Sequence, residues 1–379
     1  MQYIYTGIYA DWAAAAPLHP AARDELLRWF GTPSNPSSLH SCGMTASGAL
    51  ESARSSLAQS FGWNGEVTFT SGGTESIGLA VHSLVRRCQG TNRRRIVLSP
   101  LEHPAVREAV RAFALPAGMR SETCAVTPDG TVDPADFALR MGEDVAFVAV
   151  MTVQNETGVI QPVEKLADLA HGCGALFLTD AVQAAGHIGI PACADMAAVS
   201  AHKFGGPAGV GALLHHGGLV PLLKGGGQER GLRGGTENVP GICAMAAAAR
   251  AACTPEWMAD ARDRLEAAFL CRMEAAGVPV SIAGRSADRI GTVTCAVFGG
   301  AESENLVLSC DLAGLAVSAG AACHSGTRAP SGVLLAMGYT EKEAMGGVRL
   351  SFGYGTAAAE MEEAYRILGD AAEKLCVFG

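Results

Sequence analysis

An α/β fold built on a largely parallel, helix-covered sheet is what this sequence predicts. Three observations support it. Short apolar runs alternate with helical patterns through the first two-thirds of the chain, the rhythm of strands joined by crossover helices. About half of the residues are apolar and only 17% are charged, the composition of a folded and well-buried protein. At 379 residues the chain exceeds what one hydrophobic core usually serves, so two subdomains or a large α/β unit are expected.

Taken in order, the strands are expected at Glu66–Thr70, Arg95–Ser99, Val145–Met151, Ala175–Thr179, Ala197–Ser200 and Val210–Leu214, each a short apolar run. Helical patterns fill the gaps, at Thr74–Arg87, Pro104–Phe113 and Pro162–His171. From Pro240 to about Ala275 the chain reads as one long Ala-rich helix bridging to a second subdomain. Beyond it, Val278–Ile282, Gly291–Val297 and Val348–Ser351 are the expected strands and Thr356–Leu375 the final helix. The stretch Gly225–Gly235 mixes glycine with Arg and Glu and reads as an ordered loop, not a tether.

A net charge of -9 argues against nucleic acid as the main partner, since phosphate binding needs a basic face. Arg93-Arg94-Arg95 is read as a solvated helix-to-strand turn. The N-terminus lacks the pattern of a signal peptide and no apolar run is long enough to span a bilayer, so a cytoplasmic protein with no membrane partner is expected. Twelve cysteines with no C-x-x-C pair signal neither a metal site nor a redox dithiol. Most should be small buried residues.

The chemistry emerges from the scarcity of lysine. Lysine occurs only at 165, 203, 224, 342 and 374. Lys165, Lys342 and Lys374 each sit beside a Glu in a helical pattern, as surface charges do. Lys203 follows an apolar strand and precedes a glycine-rich turn, where ligands bind in α/β sheets. A partly desolvated lysine there suits Schiff-base chemistry; the bland alternative is a lysine that ends a strand and reaches water. Leu176-Phe-Leu-Thr-Asp180 ends a strand in a carboxylate, which could sit against a pyridinium nitrogen and keep it protonated or merely cap a helix. Phe69-Thr-Ser-Gly-Gly-Thr-Glu75 could cradle a phosphate with backbone N–H groups, including that of Gly73, and with the Ser71 and Thr74 hydroxyls. It could equally be a plain helix start. Together, in this order, the three point to pyridoxal phosphate. His103 could stack on the cofactor ring and shuttle protons, or be structural. Asn155 could bond the cofactor's phenolic oxygen, or be a turn residue.

These motifs resemble the cysteine desulfurases, the NifS/IscS-like group of fold-type I pyridoxal-phosphate enzymes. The likeness begins with Tyr9-Ala-Asp-Trp-Ala and Asn35-Pro-Ser-Ser-Leu-His40 and continues through Thr70-Ser-Gly-Gly-Thr-Glu-Ser76 and Glu102-His103. Asn155-Glu-Thr-Gly-Val-Ile-Gln-Pro162, Asp180-Ala-Val-Gln183 and Ser200-Ala-His-Lys203 follow. Then come Gly225 to Thr236, Ser318-Ala-Gly-Ala-Ala-Cys323 and Val348-Arg349-Leu-Ser351. The resemblance implies a large cofactor-binding domain with a mostly parallel seven-stranded sheet over 17–250. It also implies a smaller α+β domain over 251–379 and an N-terminal segment, 1–16, packed on the latter.

It implies that Lys203 holds the cofactor as a Schiff base, that Asp180 pairs with the ring nitrogen, that Gln183 contacts the phenolic oxygen and that His103 stacks on the ring. Thr74, Ser200 and His202 would hold the phosphate, with Thr236 reaching across from the second subunit of a homodimer. Arg349 would clamp the carboxylate of L-cysteine, with Asn35 and Asn155 nearby. Cys323 would take the sulfur as a persulfide and pass it to an acceptor, such as an iron–sulfur scaffold, with His324 placed to help ionise it. The spacing from Cys323 to Pro330-Ser331 resembles the longer-loop group. Ala14-Ala15-Ala16 departs from the usual Ala-Thr-Thr, and the C-terminus lacks the further tail of scaffold-docking members. Other activities compatible with the same residues are an aminotransferase or lyase, selenocysteine lyase among them, or a non-catalytic scaffold of the same fold.

Overall fold

The computed structural model describes residues 6–320 and 329–377. Its principal sheet has seven strands in the spatial order Glu66–Thr70, Gly211–His215, Met196–Ser200, Leu176–Asp180, Val145–Ala149, Arg95–Leu98 and Arg120–Thr123. Neighbours from Met196–Ser200 onward are parallel, while Gly211–His215 runs antiparallel to both strands beside it. The sequence carries so few polar residues in these strands because helices cover both faces. Val145–Ala149 and Met196–Ser200 are buried at every position.

On one face the helix Gly73–Arg87 packs Ile77, Ala80 and Leu84 against Leu178, Met196 and Leu213. On the other, Val163–Gly172 sets Leu166 and Ala170 against Val148 and Phe177. The helices Pro20–Phe30, Ser41–Ser60 and Val239–Ala251 pack on one another beside Ala197, Val199 and Leu214.

A second sheet of four antiparallel strands, ordered Ser318–Ala319, Gly347–Ser351, Val293–Phe298 and Val280–Ile282, has its own apolar core. Trp257–Ala275, Ser303–Leu312 and Ala358–Val377 are its helices. The short strand Ile8–Tyr9 pairs in parallel with Leu315–Ala316, and Asp11 bridges to Ser351. The N-terminal segment is thereby fastened to the second sheet before it reaches the first.

All the strands expected from sequence are present, with small differences at their ends of the kind that fraying produces. The single helix expected from Pro240 to Ala275 is instead two, Val239–Ala251 and Trp257–Ala275. Pro255 lacks an N–H and disfavours helical backbone before it, and Ala252 turns to an extended conformation. The helix Pro104–Ala109 widens into a π turn at Val110–Ala114, which carries it past the expected end at Phe113.

Arg93 and Arg95 also differ from the solvated turn expected of them. Arg93 caps the carbonyls of Val145 and Cys173 at 2.7 and 2.8 Å. Arg95 pairs with Asp144 and Glu122 at 2.7 and 2.6 Å. Their planar donor forks fasten the edge of the sheet. The strands gather here, so lone carbonyls and acids lie within reach.

Candidate active site

Because the strands run in parallel, their C-terminal ends collect at one edge of the sheet. A cavity of about 360 Å³ lies there. Gly73, Thr74, His103, Asn155, Asp180, Gln183, Ser200, His202, Lys203 and Arg349 all line it.

Asp180 is the last residue of its strand and is buried at the cavity wall. Burial pushes its carboxyl up to about 6, against the opposing pull of the Val182 N–H and of Lys203. Val182 donates to its Oδ1 at 3.0 Å. A positive ring nitrogen placed against this carboxylate would supply the charge that burial demands. Lys203 closes the short turn Ala201–Lys203 after the neighbouring strand. Its Nζ donates to the carbonyls of Ala13 and Ala14 at 2.7 and 2.9 Å. The Gln183 amide donates to the same Ala13 carbonyl at 2.9 Å. Asp180 and Lys203 thus end adjacent parallel strands and face one space.

The helix Gly73–Arg87 begins without a side-chain cap, so its first N–H groups are offered to the cavity end of the macrodipole. Ser200, whose Oγ lies 3.0 Å from His202 Nδ1, and the exposed Thr74 complete a small polar surround. Burial, with Lys203 nearby, brings His202 down to about 4, so its ring is neutral and can share hydrogen bonds. Glycine is required where the turn crosses the sheet: a Cβ on Gly211 would lie 2.6 Å from Gly72 Cα. Ser71, the other hydroxyl expected in the cradle, is outside the cavity lining, and its backbone N–H instead donates to Glu75.

His103 caps the helix Pro104–Ala109, its Nδ1 accepting from Ala105 N–H at 3.1 Å. That bond assigns the proton of the neutral ring to Nε2. Burial, then Lys203 and Arg107, hold its value below the ordinary one. Glu102, just before it, is a buried carboxyl that the motif Glu102-His103 includes but to which the sequence assigned no role. One oxygen accepts from Met151 N–H at 2.6 Å, and the other has no partner among the described residues. Burial and the nearby Asp180 push it up to about 8.

Arg349 projects from the strand Gly347–Ser351 of the second sheet and is only 6% exposed. Its Nη1 donates to the Asn155 carbonyl and its Nη2 to Asp11 Oδ1, both at 2.8 Å. The buried Glu156, bonded by the Ser331 hydroxyl at 2.6 Å, lies beyond it, and burial pushes its carboxyl up to about 7. Asp11, Ser318 and Gly320 also line the cavity and had no assigned role from sequence. The strand pairing Ser318↔Arg349 is long-range and leaves no trace in local sequence.

Two expected participants are not brought to this cavity. Asn35 is exposed in a turn, its Oδ1 accepting from Ser37 N–H at 3.0 Å, and Thr236 is exposed on the glycine-rich loop. Neither lines the cavity of this chain. Cys323, with His324, lies outside the described residues; the chain enters that segment from Gly320, on the cavity wall. Of the other cysteines, Cys42, Cys253 and Cys271 are exposed, contrary to the expectation of burial, while Cys88, Cys124, Cys243, Cys295 and Cys310 are buried. Cys42 and Cys271 are on helices, where exposure depends on which face meets the core.

The donor set fits pyridoxal phosphate: an amine for its aldehyde, a buried carboxylate for its ring nitrogen, and an uncapped helix start beside hydroxyls for its phosphate. The class-V aminotransferase family matches residues 8–363. The chain is 40% identical to a cysteine desulfurase of Cereibacter sphaeroides, covering 97% of this chain and 96% of that one. It is 37% identical to an IscS-like cysteine desulfurase of Mycobacterium tuberculosis, covering 95% of each. A solved NifS-like protein superposes with a TM-score of 0.86 at 28% identity, covering 96% of this chain and 99% of the other. The chain belongs to the class-V aminotransferase family and, within it, to the pyridoxal-phosphate-dependent cysteine desulfurases.

Proposed function

We propose that the chain converts L-cysteine to L-alanine with Lys203 and Cys323 as its catalytic groups and passes the sulfur to an acceptor protein. Pyridoxal phosphate, when bound, supplies the electron sink that lets the Cα–H bond of cysteine ionise. Lys203 would hold the cofactor through Nζ, and the same amine, once free, would take the Cα proton. Asp180 would keep a proton on the ring nitrogen, and His103, on the cavity wall where it could stack on the ring, would exchange a proton through Nε2. Gly73, Thr74, Ser200 and His202 hold the phosphate, Gln183 and Asn155 steady the ring's polar edge, and Arg349 receives the substrate carboxylate. The Cys323 thiolate attacks the substrate sulfur: a sulfur–sulfur bond forms, the carbon–sulfur bond breaks with its electron pair left on carbon, Cβ takes up a proton, and Cα regains one from Lys203 to give alanine.

Support for these roles comes from one observation: Lys203, Asp180, His103 and Arg349 face a single cavity although they come from four distant stretches of the chain. Thr236 and Asn35, exposed and away from that cavity, suit a homodimer in which each chain completes its partner's site. Exposed Leu27, Phe30, Leu39 and Met44 offer apolar surface for such an interface. No helix among the described residues is long and apolar enough to cross a membrane, which accords with work in the cytoplasm. A division at 1–16, 17–250 and 251–379 is supported by the apolar core beside the second sheet, which also takes in Ala10, and by the helix break at 252–256.

The test is incubation of the pure protein with L-cysteine. Equimolar alanine and a persulfide mapped to Cys323 are expected. Cys323→Ala should lose sulfur release while retaining cofactor absorbance, and borohydride should fix a pyridoxyl group to Lys203. Undiminished sulfur release from Cys323→Ala would remove the thiol from the mechanism.

A further inference from the structure

Asp11 sits in the cavity wall beside Arg349, and its carboxylate bonds the guanidinium at 2.8 Å. The pair is largely shielded, with side-chain exposures of 22% for Asp11 and 8% for Arg349. The Asp11 backbone is fixed independently of that carboxylate. Flanking residues bond Ser351 on either side of it, Trp12 N–H at 3.3 Å and Ala10 O at 2.8 Å, and its own carbonyl accepts from Ala14 N–H at 3.0 Å. The negative charge is therefore not needed to place the chain.

Its consequence for ligands is electrostatic. A guanidinium already matched by one carboxylate gains little from a second, and two carboxylates around one partly desolvated cation repel each other. An α-amino acid brings its own cation one carbon away from its carboxylate. Its ammonium can answer Asp11 while its carboxylate answers Arg349, so charges alternate and none is left alone. A carboxylic acid without the amine leaves Asp11 facing a like charge.

We infer that Asp11 is a specificity-determining residue, forming with Arg349 a two-charge receptor that admits α-amino acids as zwitterions and rejects simple carboxylic acids. The inference rests on the reading of Arg349 as the carboxylate clamp. It also gives the substrate amine a fixed starting point beside Lys203, whose Nζ is bonded to the carbonyls two and three residues along from Asp11.

The experiment measures dissociation constants of L-alanine and propionate for borohydride-reduced holoenzyme, in which no exchange of the cofactor can contribute to binding. Wild-type protein should bind L-alanine at least about tenfold more tightly than propionate, the scale of one charge-assisted contact. Asp11→Asn keeps the size of the side chain and an oxygen for Arg349 but removes the charge. It should bring the two constants to within about threefold, mainly by tightening propionate. Asp11→Glu, which restores the charge, should recover part of the preference.

A preference unchanged in Asp11→Asn overturns the inference, as does an equal loss of both ligands in that variant. Arg349→Gln separates this from the clamp itself. Loss of both ligands there upholds the clamp, and unchanged binding of both shows that the reading of Arg349, not only that of Asp11, is wrong.

Discussion

Glu102 shows what a single residue costs when it is buried beside a functional carboxylate. Its value of about 8, against an ordinary 4.5, is caused first by burial and then by Asp180. A carboxyl that holds its proton more tightly in the folded chain favours folding in full below its unfolded value, and that contribution fades as pH rises toward the folded one. The cofactor-free protein should accordingly lose stability from this group between about pH 4.5 and about pH 8. His202, His187 and His215, each brought down to about 4 with burial as the first cause, act in the opposite sense, gaining stability as pH rises from about 4 through their unfolded value. A comparison with Glu102→Gln isolates the carboxyl. Urea unfolding at pH 5 and pH 8.5 should show a smaller loss at high pH in the variant, by on the order of 2 kcal/mol. Equal losses in both proteins would mean that Glu102 is ionised in the folded chain. Lys203 and Asp180 were legible in the sequence because rare charges stood at the ends of apolar strands. Glu102 was not, because its burial is produced by the packing of Met151 and the neighbouring strand, which no local pattern announces.

Among the elements, the glycine-rich loop is fastened by charge. Glu229 and Arg230 adopt left-handed backbone, with φ of 47° and 57°, which costs energy for residues with side chains. The Glu229 carboxylate offsets this by holding Arg54 through two bonds, at 2.8 and 2.9 Å, and by accepting from Phe69 N–H at 2.8 Å. A second tie, Arg233 to Glu75 at 2.8 Å, joins the loop to the helix that starts at the phosphate cradle. Removing Glu229 would leave the buried Arg54 only Glu51, at 3.2 Å, as an acidic partner and would unpair one strand N–H. Glu229→Ala should therefore lower unfolding free energy by roughly 3–5 kcal/mol, read by chemical denaturation of the cofactor-free protein. A loss below about 1 kcal/mol would mark the pair as no stronger than a surface ion pair. Composition showed that Gly225–Gly235 is ordered, since Arg and Glu interrupt the glycines, but not which acid meets which base. The broken helix after Val239 was missed for a related reason: an unbroken Ala-rich pattern outweighed Pro255 in the reading.

At the scale of the whole molecule, the N-terminal segment is one of several ties between the two sheets, and the glycine-rich loop is the part proposed to reach a second subunit. The first pairs Ile8–Tyr9 with Leu315–Ala316, bridges Asp11 to Ser351 of the second sheet, and then brings Ala13 to Lys203 and Gln183 beside the first. The second carries Thr236 outward, away from its own cavity. A homodimer in which Thr236 serves the partner can be tested by mixing two disabled chains. Lys203→Ala cannot hold the cofactor, and Thr236→Asp sets a negative charge against its phosphate. Each variant alone should form little alanine from cysteine. In a hybrid, the Thr236→Asp chain keeps Lys203 and borrows an intact Thr236 from the other subunit, so one of two sites is whole. Refolding the variants together should restore alanine formation to about half the wild-type rate per hybrid dimer, because a two-fold interface exchanges the same residue in both directions. If Thr236 served its own chain, neither site of the hybrid would be complete and mixing would restore nothing. That result would return the loop to a purely structural task.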